Sequence, residues 1–119
     1  MLKKLHLICS YLIVALGVVH ILFTVRAYDG FSLDAFWFVG SGMAIVFAGF
    51  LNLMFLKFTE KDLIVWILCL LGNLFSTLLF IVGLFIIGEP QVFIGTLLFG
   101  FAALATFLNY GTKEIIESR

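Results

Sequence analysis

The chain has 119 residues, 64% of them hydrophobic and 12% charged, with seven Lys and Arg balanced by seven Asp and Glu. Soluble globular domains run nearer ~45–50% apolar and ~25% charged, so the default reading is a membrane protein rather than a soluble globule. The zero net charge gives no reason to expect a nucleic-acid partner, and the information lies in where the charges fall along the chain.

Lys3 and Lys4 ahead of an apolar run have the look of a signal peptide, and Val25-Arg26-Ala27 offers small residues for cleavage. An h-region usually has ~7–15 residues, whereas this run is long enough to span a bilayer, so we expect a retained first helix over roughly 5–25. Its polar or small members, His6, Ser10, Gly17, His20 and Thr24, with Ile13 between, recur at helical spacing and share one face. The other faces carry Leu, Ile, Val, Ala and Phe, which suit lipid.

Residues 26–32 form the longest link, with Tyr28-Asp29-Gly30 as its turn. Asp34 is expected to cap helix 2, over roughly 35–56, where Phe36 and Trp37 suit a membrane interface. Thr59 with Asp62 three residues on reads as a capping-box-like start to helix 3, over roughly 63–87, with Trp66 near the opposite interface. Gly88-Glu89-Pro90-Gln91 ends helix 3 and starts helix 4, because Gly suits a helix end and Pro a first turn. Helix 4 is expected over roughly 92–110, closed by Gly111 and followed by a charged tail.

Four spans joined by short links predict an all-α, up-down-up-down transmembrane bundle that takes in residues 1–119 as one domain. One side would hold Lys3, Lys4, Lys57, Lys61, Lys113 and Arg119, against Arg26 alone on the other. That bias predicts cytoplasmic N- and C-termini, with the bilayer of a plasma (inner) membrane as the chain's first partner.

Every later helix repeats the small and polar stripe: Ser41, Gly42, Ala48, Gly49 and Asn52, then Cys69, Gly72, Asn73, Ser76 and Gly83, then Gly95, Ala102, Thr106 and Asn109. Lipid supplies no hydrophobic drive between helices, so such stripes read first as bundle packing. Gly40-xxx-Ala44-xxx-Ala48 and Gly95 with Ala102 would be additional surfaces for a homo-oligomer or a larger membrane complex. Helices 2 and 4 also echo one another, in Phe38-Val39-Gly40-Ser41 against Phe93-Ile94-Gly95-Thr96 and in Phe-Leu-Asn ending at Asn52 and Asn109.

No Asp, Glu, Lys or Arg falls inside the four expected spans, which argues against transport coupled through a buried carboxylate. A phosphate-binding Gly loop, paired carboxylates and a nucleophile elbow are absent as motifs, so the familiar enzyme classes have no foothold. Three constellations remain. His20 lies ~8 Å below the outer end of helix 1, at the depth of Ser41 and Thr96, with Arg26, Asp34 and Glu89 just above. An imidazole there could take a ligand or an ion, or simply bond a hydroxyl on a neighbouring helix. His6, Cys9 and Cys69, with Asn52 and Met54 at similar depth, carry soft donors that suit Cu(I) or Zn, the plainer reading being an interfacial histidine and two inert thiols. Asn73 with Ser76 and Thr77 reads as interhelical hydrogen bonding or a substrate site.

Bis-histidine haem ligation fails on geometry, since His6 and His20 share one helix fourteen residues, or ~21 Å, apart, and no cofactor is expected. The sequence thus predicts a non-catalytic accessory or assembly bundle. Its alternative is a small-ligand or ion transport or binding protein, working as an oligomer through His20, Ser41, Thr96, Glu89 and Asn73.

Overall fold

The computed structural model describes the backbone of residues 1–57 and 62–117 and the side chains up to residue 110. Among these residues the fold is all-helical: α1 (Leu2–Ala27), α2 (Leu33–Lys57), α3 (Leu63–Ile86) and α4 (Pro90–Glu117). Each is long and apolar enough to cross a membrane, α4 over its Pro90–Tyr110 part. At ~1.5 Å per residue the 24 residues of α3 reach ~36 Å, enough for a hydrocarbon layer ~30 Å thick.

Helix ends follow local chemistry, and several differ from the sequence reading. α1 begins a turn earlier than expected, so Lys3 and Lys4 belong to its first turn. It ends at extended Tyr28, and Gly30 then adopts φ +94°, a left-handed angle that glycine takes without a Cβ clash. Ser32, not Asp34, supplies the side-chain cap of α2: its Oγ accepts from the Ala35 N–H at 3.1 Å, while Asp34 sits inside the first turn. Asp62 caps α3 by itself, its Oδ1 accepting from the N–H groups of Ile64 and Val65 at 2.9 and 3.1 Å; Thr59 lies outside the described residues. Gly88, at φ +65°, turns the chain out of α3, and Pro90 opens α4 where its missing N–H has no helical partner to lose. Gly111 does not close α4, which continues to Glu117. Helix propagation needs only another i→i−4 bond per residue, and one glycine costs about 1 kcal/mol, too little to stop it.

The helices form a ring in which α1 packs most closely along α2 and α3 along α4, with α4 against α1 and α2 against α3 completing the circuit. Glycine sets the α1–α2 approach. A Cβ on Gly17 would lie 2.8 Å from both the Gly42 carbonyl oxygen and the Val46 nitrogen, and one on Gly49 would lie 3.2 Å from the Ser10 carbonyl oxygen. These neighbours are backbone and cannot rotate away, so the close contact requires glycine.

The centre of the ring draws on every helix: Cys9 and Ile13 from α1, Phe99 and Ala102 from α4, with Ile45 and Ala48 of α2 and Phe80 of α3 against them. Gly95 is consumed here, since a Cβ on it would collide with the Phe80 ring, and Ala102 is fully buried. The helix 4 pair is therefore internal packing, not a spare surface. Gly40, by contrast, has nothing near it and Ala44 is exposed, so that part of the helix 2 stripe faces outward. The outer surface is strongly apolar, with Leu79, Phe85 and Leu97 exposed by 71%, 88% and 74%. Burial thus departs from the soluble pattern: the middle mixes polar and small groups with Ile13 and Phe99, and most bulky apolar side chains lie outside.

Candidate functional site

Two polar regions stand out, one at each half of the bundle. The first is buried. Asn52 on α2 and Asn73 on α3 face each other and exchange amide bonds, Asn52 Nδ2 donating to Asn73 Oδ1 at 2.8 Å and Asn73 Nδ2 donating to Asn52 Oδ1 at 2.9 Å. The second hydrogen of each amide is also used: Asn52 Nδ2 donates to the Ala48 carbonyl at 2.8 Å, and Asn73 Nδ2 to Thr106 Oγ1 on α4 at 3.2 Å. Thr106 passes its own hydrogen to the Ala102 carbonyl at 2.7 Å.

Backbone carbonyls therefore fix every orientation in this cluster. The Ala48 oxygen only accepts, so the atom facing it must be Asn52 Nδ2, and Asn52 Oδ1 must point into the cluster. That oxygen meets His6 Nε2 of α1 at 2.8 Å, so the imidazole proton sits on Nε2 and donates. Nδ1 is then a lone pair, matched to the Nδ2 donor of Asn109 on α4 at 3.2 Å. The Cys69 thiol adds a weaker contact, 3.4 Å to Asn52 Oδ1. His6, Asn52, Cys69, Asn73 and Thr106 are all at most 1% exposed.

The expected group of His6, Cys9 and Cys69 is split by this arrangement. Cys9 donates instead to the Leu98 carbonyl at 3.2 Å, while Cys69 belongs with the asparagines. No three His, Cys, Asp or Glu side chains are placed to hold a metal ion among the described residues. His6 is fully buried, with Asn52 and Asn109 on its two ring nitrogens. Asn73 belongs to this node and not to a group with His20; its partner Thr77 bonds back to its carbonyl at 2.7 Å. Sequence reasoning did not join Thr106 and Asn109 to the cluster, although both stood on the helix 4 stripe and Asn109 ends the echoed Phe-Leu-Asn. The echo is structural at that point: its two asparagines bond the two nitrogens of one imidazole.

The second region lies where the α1–α2 and α3–α4 links come together. His20 Nε2 donates to Ser41 Oγ at 2.9 Å, and Ser41 sends its hydrogen to the Phe38 carbonyl at 2.8 Å. The imidazole stacks on the Phe38 ring at 3.8 Å between centroids and 15° between planes. Together they line a cleft of about 420 Å³ whose other walls include Leu16, Val19 and Phe23, with Glu89 and Gln91 at its polar edge. His20 thus bonds Ser41 and shares the cleft with Glu89, while Ser41 itself is not among the cleft's lining residues. Thr96 joins neither: its hydroxyl donates to the Val92 carbonyl of its own helix at 2.9 Å, and it does not line the cleft.

One turn beyond His20, Thr24 is the single buried side-chain polar atom without a partner among the described residues. Thr24 is among the residues around a neighbouring apolar hollow beneath the α1–α2 link, not those of the His20 cleft. Comparison with protein-family models, with characterised proteins and with solved structures finds no match to this chain. The reading of function therefore rests on the chemistry of these two regions.

Removing one member of the node strands its partners. Asn52→Leu and Asn73→Leu should each lower stability by about 1–3 kcal/mol, since each leaves a buried amide unpaired. The double substitution should cost clearly less than the sum, because the partners disappear together. Unfolding of the four proteins in detergent, followed by circular dichroism, measures that coupling.

Proposed function

We propose that the chain is an integral protein of the plasma (inner) membrane, an up-down-up-down bundle with both termini on the cytoplasmic side, and that it serves as a non-catalytic accessory or assembly unit. The observation that carries this reading is the state of the node. His6, Asn52, Asn73 and Thr106 spend their hydrogen-bonding capacity on one another and on backbone carbonyls, which leaves a substrate little to bind in the interior. Side-chain bonds between membrane helices average about 0.6 kcal/mol and reach about 1.7, so what such a node adds is mainly register among four helices. Fixed helices presenting constant outer faces suit assembly with a second copy or with other membrane proteins. The α1–α2 pairs His6 with Asn52, Ser10 with Gly49 and His20 with Ser41 run in opposite chain directions, which supports the antiparallel hairpin.

The orientation has a direct test. Introduced cysteines at Asp29 and Ser118 should label from outside and from inside respectively, the native Cys9 and Cys69 being buried. Labelling of Ser118→Cys from outside intact cells, with Asp29→Cys protected, would reverse the topology.

A second reading, binding of a small ligand or ion at the His20 cleft, has support of its own in the imidazole that Ser41 holds there and in Glu89 on the same cleft. The two readings part at His20→Gln, which keeps a donor for Ser41. An accessory unit tolerates it: thermal stability and the chain's effect in cells both stay near wild type. A binding protein loses its cellular effect or its retained ligand while its stability is unchanged.

A further inference from the structure

At the end of the bundle away from the His20 cleft, α1 and α2 border a groove of about 570 Å³ that neither polar region uses. Lys3 and Lys4 of α1 and Lys57 of α2 line it, together with Leu7, Tyr11 and Leu53. Lys3, Leu7 and Tyr11 follow one another at steps of four and so share one face of α1. Lys57 likewise follows Leu53 by four on α2. The two faces therefore present the same gradient, ammonium groups at the helix ends and an apolar wall further in.

Among the described residues no acidic side chain lines the groove. The first turn of α1 has no acidic residue and no side-chain cap, so its free N–H groups add positive potential at the same end. Cations with no carboxylate beside them among the described residues, set over an apolar groove between α1 and α2, match an amphiphile of opposite charge, with its headgroup at the lysines and a chain along Leu7 and Leu53.

We propose that this groove is a binding site for an anionic phospholipid, its phosphodiester held by Lys3, Lys4 and Lys57 and its first acyl segment by Leu7, Tyr11 and Leu53. The inference rests on the bilayer insertion proposed above, but not on the role given to the bundle or to His20. It makes the groove a place where lipid composition acts on the α1–α2 pair.

Native mass spectrometry of the purified protein with an equimolar mixture of phosphatidylglycerol and phosphatidylcholine reads the preference directly. Phosphatidylglycerol adducts should dominate in the wild type, and the preference should fall about fivefold for each lysine replaced by glutamine. The Lys3→Gln/Lys4→Gln/Lys57→Gln protein should bind both lipids alike while melting as wild type, since all three side chains are exposed. Lys57→Arg should keep the preference, as should Arg26→Gln at the other end. Equal binding of the two lipids by the wild type, or an unchanged preference in the triple variant, would overturn the proposal. Loss of the phosphatidylglycerol adducts on adding inorganic phosphate would assign the lysines to a free anion and overturn it equally. A reversed topology would move the groove to the other leaflet without changing its lipid preference, and failure of the His20→Gln test would leave it untouched, so neither result can stand in for the lipid measurement.

Discussion

The exchange of amide hydrogen bonds between Asn52 and Asn73 is the contact on which the rest of the molecule depends. Two primary amides buried among apolar side chains must satisfy four N–H groups and two carbonyls, or each unpaired group costs about 1–3 kcal/mol. Two of the hydrogens are absorbed by the pair itself and two by the Ala48 carbonyl and Thr106, which leaves one oxygen open toward His6. The imidazole closes the cluster, and its second nitrogen ties in Asn109. One pairing thereby sets the axial register of all four helices.

Glycine and polarity divide the work of holding the bundle. Along α1 and α2, Gly17, Gly42 and Gly49 bring backbones within van der Waals reach, which supplies dispersion but tolerates sliding. The node permits only one alignment. This combination suits a chain with an apolar exterior, where removing water from between the helices contributes nothing. It also leaves the two clefts toward the ends of the bundle, the one beside His20 and the one beside Lys3, Lys4 and Lys57.

The four spans were legible from hydropathy alone, and the stripes named nearly every residue that turned out to be buried and polar. Their pairing was not legible. Depth along the helices groups Asn52 with His6, Cys9 and Cys69 and leaves Asn73 with Ser76 and Thr77, yet the two asparagines are partners: Asn52 is five residues from the end of α2 and Asn73 ten from the start of α3. Neighbouring helices are offset along the bundle, and no periodicity within one helix records that offset. Caps failed for a related reason. Ser32 and Asp34 are both good N-cap residues, and the choice between them is made by where the link from α1 delivers the chain. His20 and Ser41 do meet as their depths suggest, because they stand almost equally far from their link, seven residues before the end of α1 and eight after the start of α2.

The central claim is that a single, buried hydrogen-bonded node fixes the four helices, and nitrogen-15 NMR of the imidazole of His6 in lipid bilayers tests it most directly. The account predicts one tautomer, protonated on Nε2 and bare on Nδ1, with the Nε2 proton slow to exchange with deuterated water and close in space to the side-chain amides of Asn52 and Asn73. A proton on Nδ1, or a ring whose proton exchanges freely with bulk water, would contradict it.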